Sequence, residues 1–319
     1  MLRRTRRELW VAVAIGMLTV VLALLRPDYF ERGNLIDLFL AILPVLIVAA
    51  GMTLVMLTGE IDISVGSVFG VCAVTAGVLA KDGVPTPLVF ALVCMTGAVM
   101  GTVNGSLVAY LRLPSIVVSL AMMIALRDAL RWTTQGAWVQ DLPSDFQWMG
   151  MSQRAYPLAA GGFAIALIAG IALGLRYSAA GRLLYATGSS ADAAHLAGIN
   201  TRRVKQLAFA CLGALTGLAA VLNAMRFNQI PANTGIGLEL KVVAAVVVGG
   251  TAITGGRGTM FGTVLGVVLL GAIGPALTFL GVSAYWERAI QGVIILIAVA
   301  ADALPRRSQP HAHLTAARA

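Results

Sequence analysis

Charged residues are scarce in this sequence, at 12% of 319 residues, whereas soluble globular domains carry about 25%. Hydrophobic residues make up 59% of the chain, and its mean hydropathy is +0.87. This composition excludes an ordinary soluble domain and predicts an integral membrane protein. A helix needs about 20 apolar residues to cross the bilayer core, so the chain has room for roughly ten spans and little else.

Histidine and cysteine are also rare, with three of each. Two of the histidines lie in the C-terminal tail, so neither a histidine-containing triad nor an intramembrane zinc site can be assembled. They are His195, His311 and His313. The cysteines lie in apolar runs without CxxC spacing, which indicates buried side chains and neither disulfides nor metal ligands. They are Cys72, Cys94 and Cys211. We expect no enzyme, and no cofactor bound by this chain.

The sequence lacks both the lysine of a nucleotide-binding loop and the aromatic residues of a nucleic-acid-binding face. The stretch GTAITGGRGT from Gly250 resembles a phosphate loop, but Gly256 is followed by Arg257 where the Walker pattern needs lysine. The net charge is +9, yet no basic face carries interleaved exposed aromatic residues. The basic excess therefore indicates membrane topology, and we expect no nucleic-acid partner.

The apolar runs predict ten membrane helices. They lie near residues 9–25, 35–57, 63–80, 88–111, 114–133, 156–175, 206–225, 240–254, 259–280 and 286–303. The N-terminal run has a basic start but no small-residue cleavage site after it, which predicts an uncleaved first span. An even number of spans then places both termini in the cytoplasm, and most lysine and arginine residues fall on that side.

The longest polar passage between spans is the loop at about 176–205, which this topology places in the cytoplasm. We predict one transmembrane domain over residues 1–304 and a disordered cytoplasmic tail over 305–319. Within the loop, DAAHLAGI predicts a helix of one to two turns that starts near Asp192 and stops at Gly198. Such a helix could dock into a groove of another protein. The alternative is an ordinary polar connection, although about thirty residues is unusually long for one.

Ionisable residues inside the apolar runs are few. Glu60 and Asp62 lie in TGEIDISVGS, where glycines flank a break between two runs. Intramembrane acids are functional candidates because charges are costly in lipid. The two acids therefore lie either near a transport pathway or at a structural break, where they cap the next helix. Asp128 and Arg131 have helical spacing, which favours an interfacial ion pair over a ligand contact.

Glycines recur four residues apart in five of the runs. They are Gly66 and Gly70; Gly97, Gly101 and Gly105; Gly170 and Gly174; Gly213 and Gly217; Gly258, Gly262 and Gly266. This spacing lets helix backbones approach closely in lipid, which predicts packing within one subunit or, for one set, a dimer seam. A weak internal echo also joins residues 48–71 and 243–267, since both runs break at Thr-Gly and restart at Gly-Ser or Gly-Thr.

Four segments together resemble the ribose-type branch of ATP-binding-cassette importer permeases, and the resemblance covers nearly the whole chain. They are LTGEIDISVGSVFG from Leu57, AAGRLLYATGSSADAAHLAGINTRRVK from Ala179, ELKVVAAVVVGGTAITGGRGTMFGTVLG from Glu239, and VSAYWERAIQGVIILIAV from Val282. The family's coupling-helix signature is Glu-Ala-Ala, three residues, then Gly. Here Asp192 takes the place of the Glu, and Ala193, Ala194 and Gly198 match.

The resemblance implies an all-α permease fold of about ten helices, like that of the ribose and vitamin B12 importers, in the bacterial inner membrane. It implies as partners a cytoplasmic ATP-binding subunit with two fused ATPase domains, a second permease copy or paralogue, and a periplasmic sugar-binding protein. ATP would be hydrolysed by the separate subunit, whose motion the coupling helix would carry into the membrane.

The substrate expected from the resemblance is a monosaccharide. The segment ALRDALRWTTQGAWVQDLPSDFQW from Ala125 is similar to rhamnose-type permeases, which favours rhamnose or a similar deoxyhexose or pentose. Import of autoinducer 2 is the alternative within the branch. An ion-coupled secondary sugar carrier is the alternative from another class, although the scarcity of intramembrane acids argues against it.

Overall fold

The computed structural model describes residues 2–283 and, beyond them, 286, 287, 289, 290, 292–294 and 296; side chains are described from Glu8 onward. This part of the chain is helical, without strands apart from one isolated bridge between Val139 and Ile230. The helices are α1 Leu2–Leu25, α2 Arg32–Leu57, α3 Val65–Lys81, α4 Thr86–Ala109, α5 Ser115–Thr134, α6 Ala155–Tyr177, α7 Ala179–Ser189, α8 Ala191–Leu196, α9 Thr201–Ala224, α10 Leu238–Val248 and α11 Met260–Phe279.

Six described helices are long and apolar enough to cross a bilayer: α1 from Glu8, α2, α4, α6, α9 and α11. The prediction of an all-α polytopic membrane protein is confirmed. The count of ten spans stays a prediction, because most of the predicted run at 286–303 lies outside the described residues. The predicted tail at 305–319 lies outside them entirely.

Close contact between α4 and α9 forms one side of the core. Gly97 and Gly101 of α4 lie against the backbone of Gly213 and Phe209 of α9, and Gly217 lies against Val93 of α4. A β-carbon at any of these glycines would overlap backbone atoms of the facing helix. Because lipid supplies no hydrophobic force between helices, this close packing is what holds them together.

The other glycine sets divide between packed and open positions. Gly262 and Gly266 of α11 lie against Gly249 and Ala245 at the end of α10. Gly170 of α6, like Gly174, would meet no atom within 4 Å if it carried a β-carbon. Packing within the subunit is therefore confirmed for most sets, and the α6 set faces outward.

The predicted span at 240–254 is wrong in length, since α10 has 11 residues and ends at Val248. Gly250 follows with a φ of +95°, a left-handed conformation that ends a helix and that glycine adopts without strain. The segment between α9 and α10 is not a surface loop, because it packs against α3. Ile230 approaches Gly77 of α3, and Thr234 approaches Gly70, so this segment runs back along α3 before α10 begins.

We predict that Gly213→Leu destabilises the protein by about 2 kcal/mol or more, because its side chain must push α4 away from α9. The matched change Gly170→Leu should leave stability nearly unaltered, since space is open there. Thermal unfolding of the purified proteins in detergent measures both. A Gly213→Leu protein with the same melting temperature as the unsubstituted protein would contradict the α4–α9 packing.

Candidate functional site

Two non-helical breaks meet near one end of the helix bundle. Break 1, residues 58–64, joins α2 to α3, and break 2, residues 249–259, joins α10 to α11. The backbone N–H of Gly256 donates to the carbonyl of Leu57 at 2.9 Å. Gly59 lies against the carbonyl of Thr254, with its φ at +83°. The two runs that echo each other in the sequence thus place their breaks side by side.

Helix α7 packs directly onto both breaks. Gly188 lies against the carbonyl of Leu57 and the amide of Gly256, leaving no room for a β-carbon. The hydroxyl of Tyr185 donates to the carbonyl of Gly258 at 2.9 Å. Any displacement of α7 must therefore act on the end of α2 and on break 2 together.

The connection at 176–205 is mostly helical, since it holds α7, α8 and the start of α9 between two membrane-length helices. Side-chain oxygens of Ser178, Ser190 and Asn200 accept hydrogen bonds from backbone N–H groups in the first turns of α7, α8 and α9. Ser, Asn and Asp are the preferred residues at such positions. The three caps are visible in the sequence, and the one at Ser178 is the signal from which α7 could have been predicted.

Helix α8 lies where the short helix was predicted, and most of it is exposed. Asp192, Ala193 and Gly198 are exposed, whereas Ala194 is buried against the bundle. Gly198 follows the helix with a φ of +80°. Leu196, which belongs to no motif in the sequence, is 89% exposed. Helix α8 therefore packs on the bundle by one side only, and the exposed side chains of Asp192 and Leu196 offer an acid and an apolar group to a partner.

A cleft of about 490 Å³ separates α8 from the ends of α4 and α9. It brings together Glu60 and Asp192, which the sequence places far apart. Its other charged or titratable lining residues are Arg112, His195, Arg202 and Lys205. The cleft is thus mainly basic, with one carboxylate on each side.

Glu60 and Asp62 have different surroundings. The Glu60 carboxylate pairs with Lys205 Nζ of α9 at 2.5 Å, with the two side chains 15% and 22% exposed. Asp62 is 2% exposed and accepts from the backbone N–H and the hydroxyl of Ser64 at 2.8 and 2.6 Å. It also accepts from Asn104 Nδ2 of α4 at 3.1 Å. Asp62 therefore holds the turn into α3, whereas Glu60 joins break 1 to α9.

The charged residues near the C-terminal end of α5 also differ in their surroundings. Asp128 and Arg131 form an ion pair at 3.6 Å, and both side chains are more than half exposed. The neighbouring Arg127 instead donates to the hydroxyl of Ser67 on α3 at 3.2 Å. Asp128 and Arg131 thus form the ion pair that their spacing predicted, and Arg127 is a link between α5 and α3 that spacing did not reveal.

A family model described as the permease component of the branched-chain amino acid transport system matches residues 34–299. The chain belongs to this family, as a ribose-type permease of ATP-binding-cassette importers. It is thus a multi-pass inner-membrane transport subunit that works with an ATPase and a periplasmic binding protein, and it is not itself an enzyme.

Several curated relatives are similar over nearly their whole length. The autoinducer 2 import system permease LsrC of Escherichia coli K12 is 34% identical over 299 residues, 94% of this chain and 87% of that protein. LsrC of Salmonella typhi is 36% identical, over 92% of this chain and 84% of the relative. LsrC of Yersinia pseudotuberculosis is 35% identical, with coverages of 98% and 91%. No solved structure matches the chain.

We predict that Asp62→Ala destabilises the protein by about 1–3 kcal/mol, because the amide of Asn104 and the N–H of Ser64 lose a buried acceptor. Asp128→Ala removes an exposed ion pair and should cost about 1 kcal/mol or less. The two variants are compared by thermal unfolding in the same detergent. Equal melting temperatures for both would show that the Asp62 contacts do not hold the turn.

Proposed function

We propose that α8 is the coupling helix, at which a cytoplasmic ATPase subunit docks to drive transport of a small polyhydroxylated solute. The observation that carries this proposal is the direct packing of α7 onto both breaks, beside an exposed α8. A partner bound at α8 has a short mechanical route into the membrane helices. Asp192 and Leu196 offer it one charged and one apolar contact, as expected for a helix that enters a groove.

The charge distribution supports a cytoplasmic position for α8. Basic residues crowd around this end of the bundle: Arg112, Arg176, Arg182, Arg202, Arg203, Lys205 and Arg257. Lysine and arginine are enriched on the cytoplasmic side of membrane proteins. With α8 on that side, both termini are also cytoplasmic in the ten-span topology.

For the assembly, we propose a pair of permeases, either two copies or this chain with a paralogue, over two ATPase domains fused in one polypeptide. Family membership supports an ATPase and a binding protein as partners. The fused ATPase and the pairing follow from the resemblance to ribose-type systems. Mass spectrometry of the complex purified in mild detergent gives the composition directly.

For the substrate, we propose autoinducer 2 as the first candidate and rhamnose as the second. The relatives named above carry autoinducer 2 in their names, which reverses the order that the segment from Ala125 favoured. The resemblance of that segment to rhamnose-type permeases keeps rhamnose as the second candidate. Both are small polyhydroxylated molecules, so either fits the sugar-type family.

The test is uptake into liposomes that contain the purified complex, with its binding protein outside and ATP inside. Labelled autoinducer 2 and labelled rhamnose are supplied separately. ATP-dependent uptake of one of the two labelled solutes supports the proposal and identifies the substrate. Uptake that persists without ATP and follows an ion gradient would instead establish the secondary carrier.

We predict that Gly198→Asp lowers recovery of the ATPase with the permease by about tenfold or more, because an unpaired charge at the docking surface costs over 1.4 kcal/mol. Gly198 has a φ of +80° and open space around it. Asn and Asp both tolerate this conformation, so Gly198→Asn is the matched neutral control. The measurement is the ratio of ATPase to permease after affinity purification. Undiminished recovery with Gly198→Asp would remove α8 from the interface.

A further inference from the structure

Helix α9 begins just after α8 and is attached to two different parts of the bundle in its second turn. Lys205 pairs with Glu60 of break 1. The next residue, Gln206, donates to the hydroxyl of Ser106 on α4 at 2.8 Å and accepts from the hydroxyl of Tyr110 at 3.2 Å. The start of α9 is therefore fixed to break 1 by charge and to α4 by neutral hydrogen bonds.

Break 1 is in turn connected to the helices on its other side. The backbone N–H of Ile61 donates to Ser115 Oγ, at the start of α5, at 3.3 Å. Asp62 bonds Asn104 of α4 and holds the first turn before α3. A pull on Glu60 is thus transmitted through two residues to the starts of α3 and α5. In contrast, the contacts of Gln206 end on α4.

The ion pair also lies where a moving partner would act on it. Glu60 and Lys205 both line the cleft beneath α8, and both side chains are mostly buried. A close pair with little exposure to solvent is weakly screened by salt, and removal of one member leaves the other charge without its partner. Arg112 and Arg202 line the same cleft, so the carboxylate has other cations nearby when α8 shifts.

We infer that the Glu60–Lys205 ion pair is the coupling link of this permease: it transmits displacement of α8 and α9 to break 1 and thereby to α3. The inference rests on the proposed docking of the ATPase at α8. The pair acts as a positioning device and does not touch the solute. Its loss uncouples ATP hydrolysis from transport while α8 remains available to the ATPase.

The experiment measures the amount of solute imported per ATP hydrolysed by the complex in liposomes. The probe is labelled autoinducer 2, or labelled rhamnose if that is what the unsubstituted complex imports. The variants are Glu60→Gln, Lys205→Gln and the exchange Glu60→Lys with Lys205→Glu. The control is Arg203→Gln, which removes an exposed cation from the same turn of α9.

We expect each single variant to copurify with the ATPase but to import about fivefold less solute per ATP, the lower range for coupling between two sites. The exchange should recover at least half of the loss, because it restores the pair with reversed charges. Arg203→Gln should match the unsubstituted complex. Normal solute import per ATP in the single variants, or an exchange no better than either single variant, would overturn the inference.

Two further measurements keep folding and docking separate from coupling. If a Gln variant fails to fold, as judged by size-exclusion chromatography, Lys205→Arg and Glu60→Asp replace it. The Arg variant keeps the charge and reach and must couple normally, whereas the shorter Asp must couple less well; the reverse order excludes the link. Absence of the ATPase from the unsubstituted protein would overturn the proposed docking itself, and the coupling link with it.

Discussion

Backbone groups that leave a helix in the interior of a protein must find partners there, because an unpaired buried N–H or C=O group is costly. This constraint explains why the two breaks lie together. The N–H of Gly256 in break 2 donates to the carbonyl of Leu57 at the end of α2, while Asp62 accepts the N–H of Ser64 before α3. Break 2 is thus bonded to the end of α2, break 1 is held by its own Asp62, and the contact between the two breaks positions α7 and, through it, α8.

The same arrangement explains how a small exposed helix can influence the membrane helices. Helix α8 has six residues and is too short to be stable alone. It is held by Ser190 at its start and by the burial of Ala194. Its neighbours α7 and α9 contact the breaks through Gly188 and through Lys205. Force applied to α8 is therefore divided between a steric contact and an electrostatic one.

Much of this structure could be predicted from the sequence, but not all of it, and the reasons are physical. Long apolar runs gave the spans because helix length is set by bilayer thickness. The length of α10 was missed because hydropathy averaged over a window hides the Gly249–Gly250 pair, and it is the left-handed backbone at Gly250 that ends the helix. The Glu60–Lys205 pair joins residues 145 positions apart, and no periodicity relates them. Asp192 and Gly198 were found through a motif, whereas Leu196 required knowledge of which side of α8 is exposed.

The short helix α10 has a consequence for how the chain is made. Eleven residues rise about 16 Å, roughly half the thickness of the hydrocarbon core. Such a segment cannot partition into lipid alone as it leaves the ribosome. It needs α2, α3 and α11 around it, and α11 is synthesised after it. Biogenesis of this region must therefore wait until α11 emerges, when residues 225–279 can enter as one unit against helices already in place.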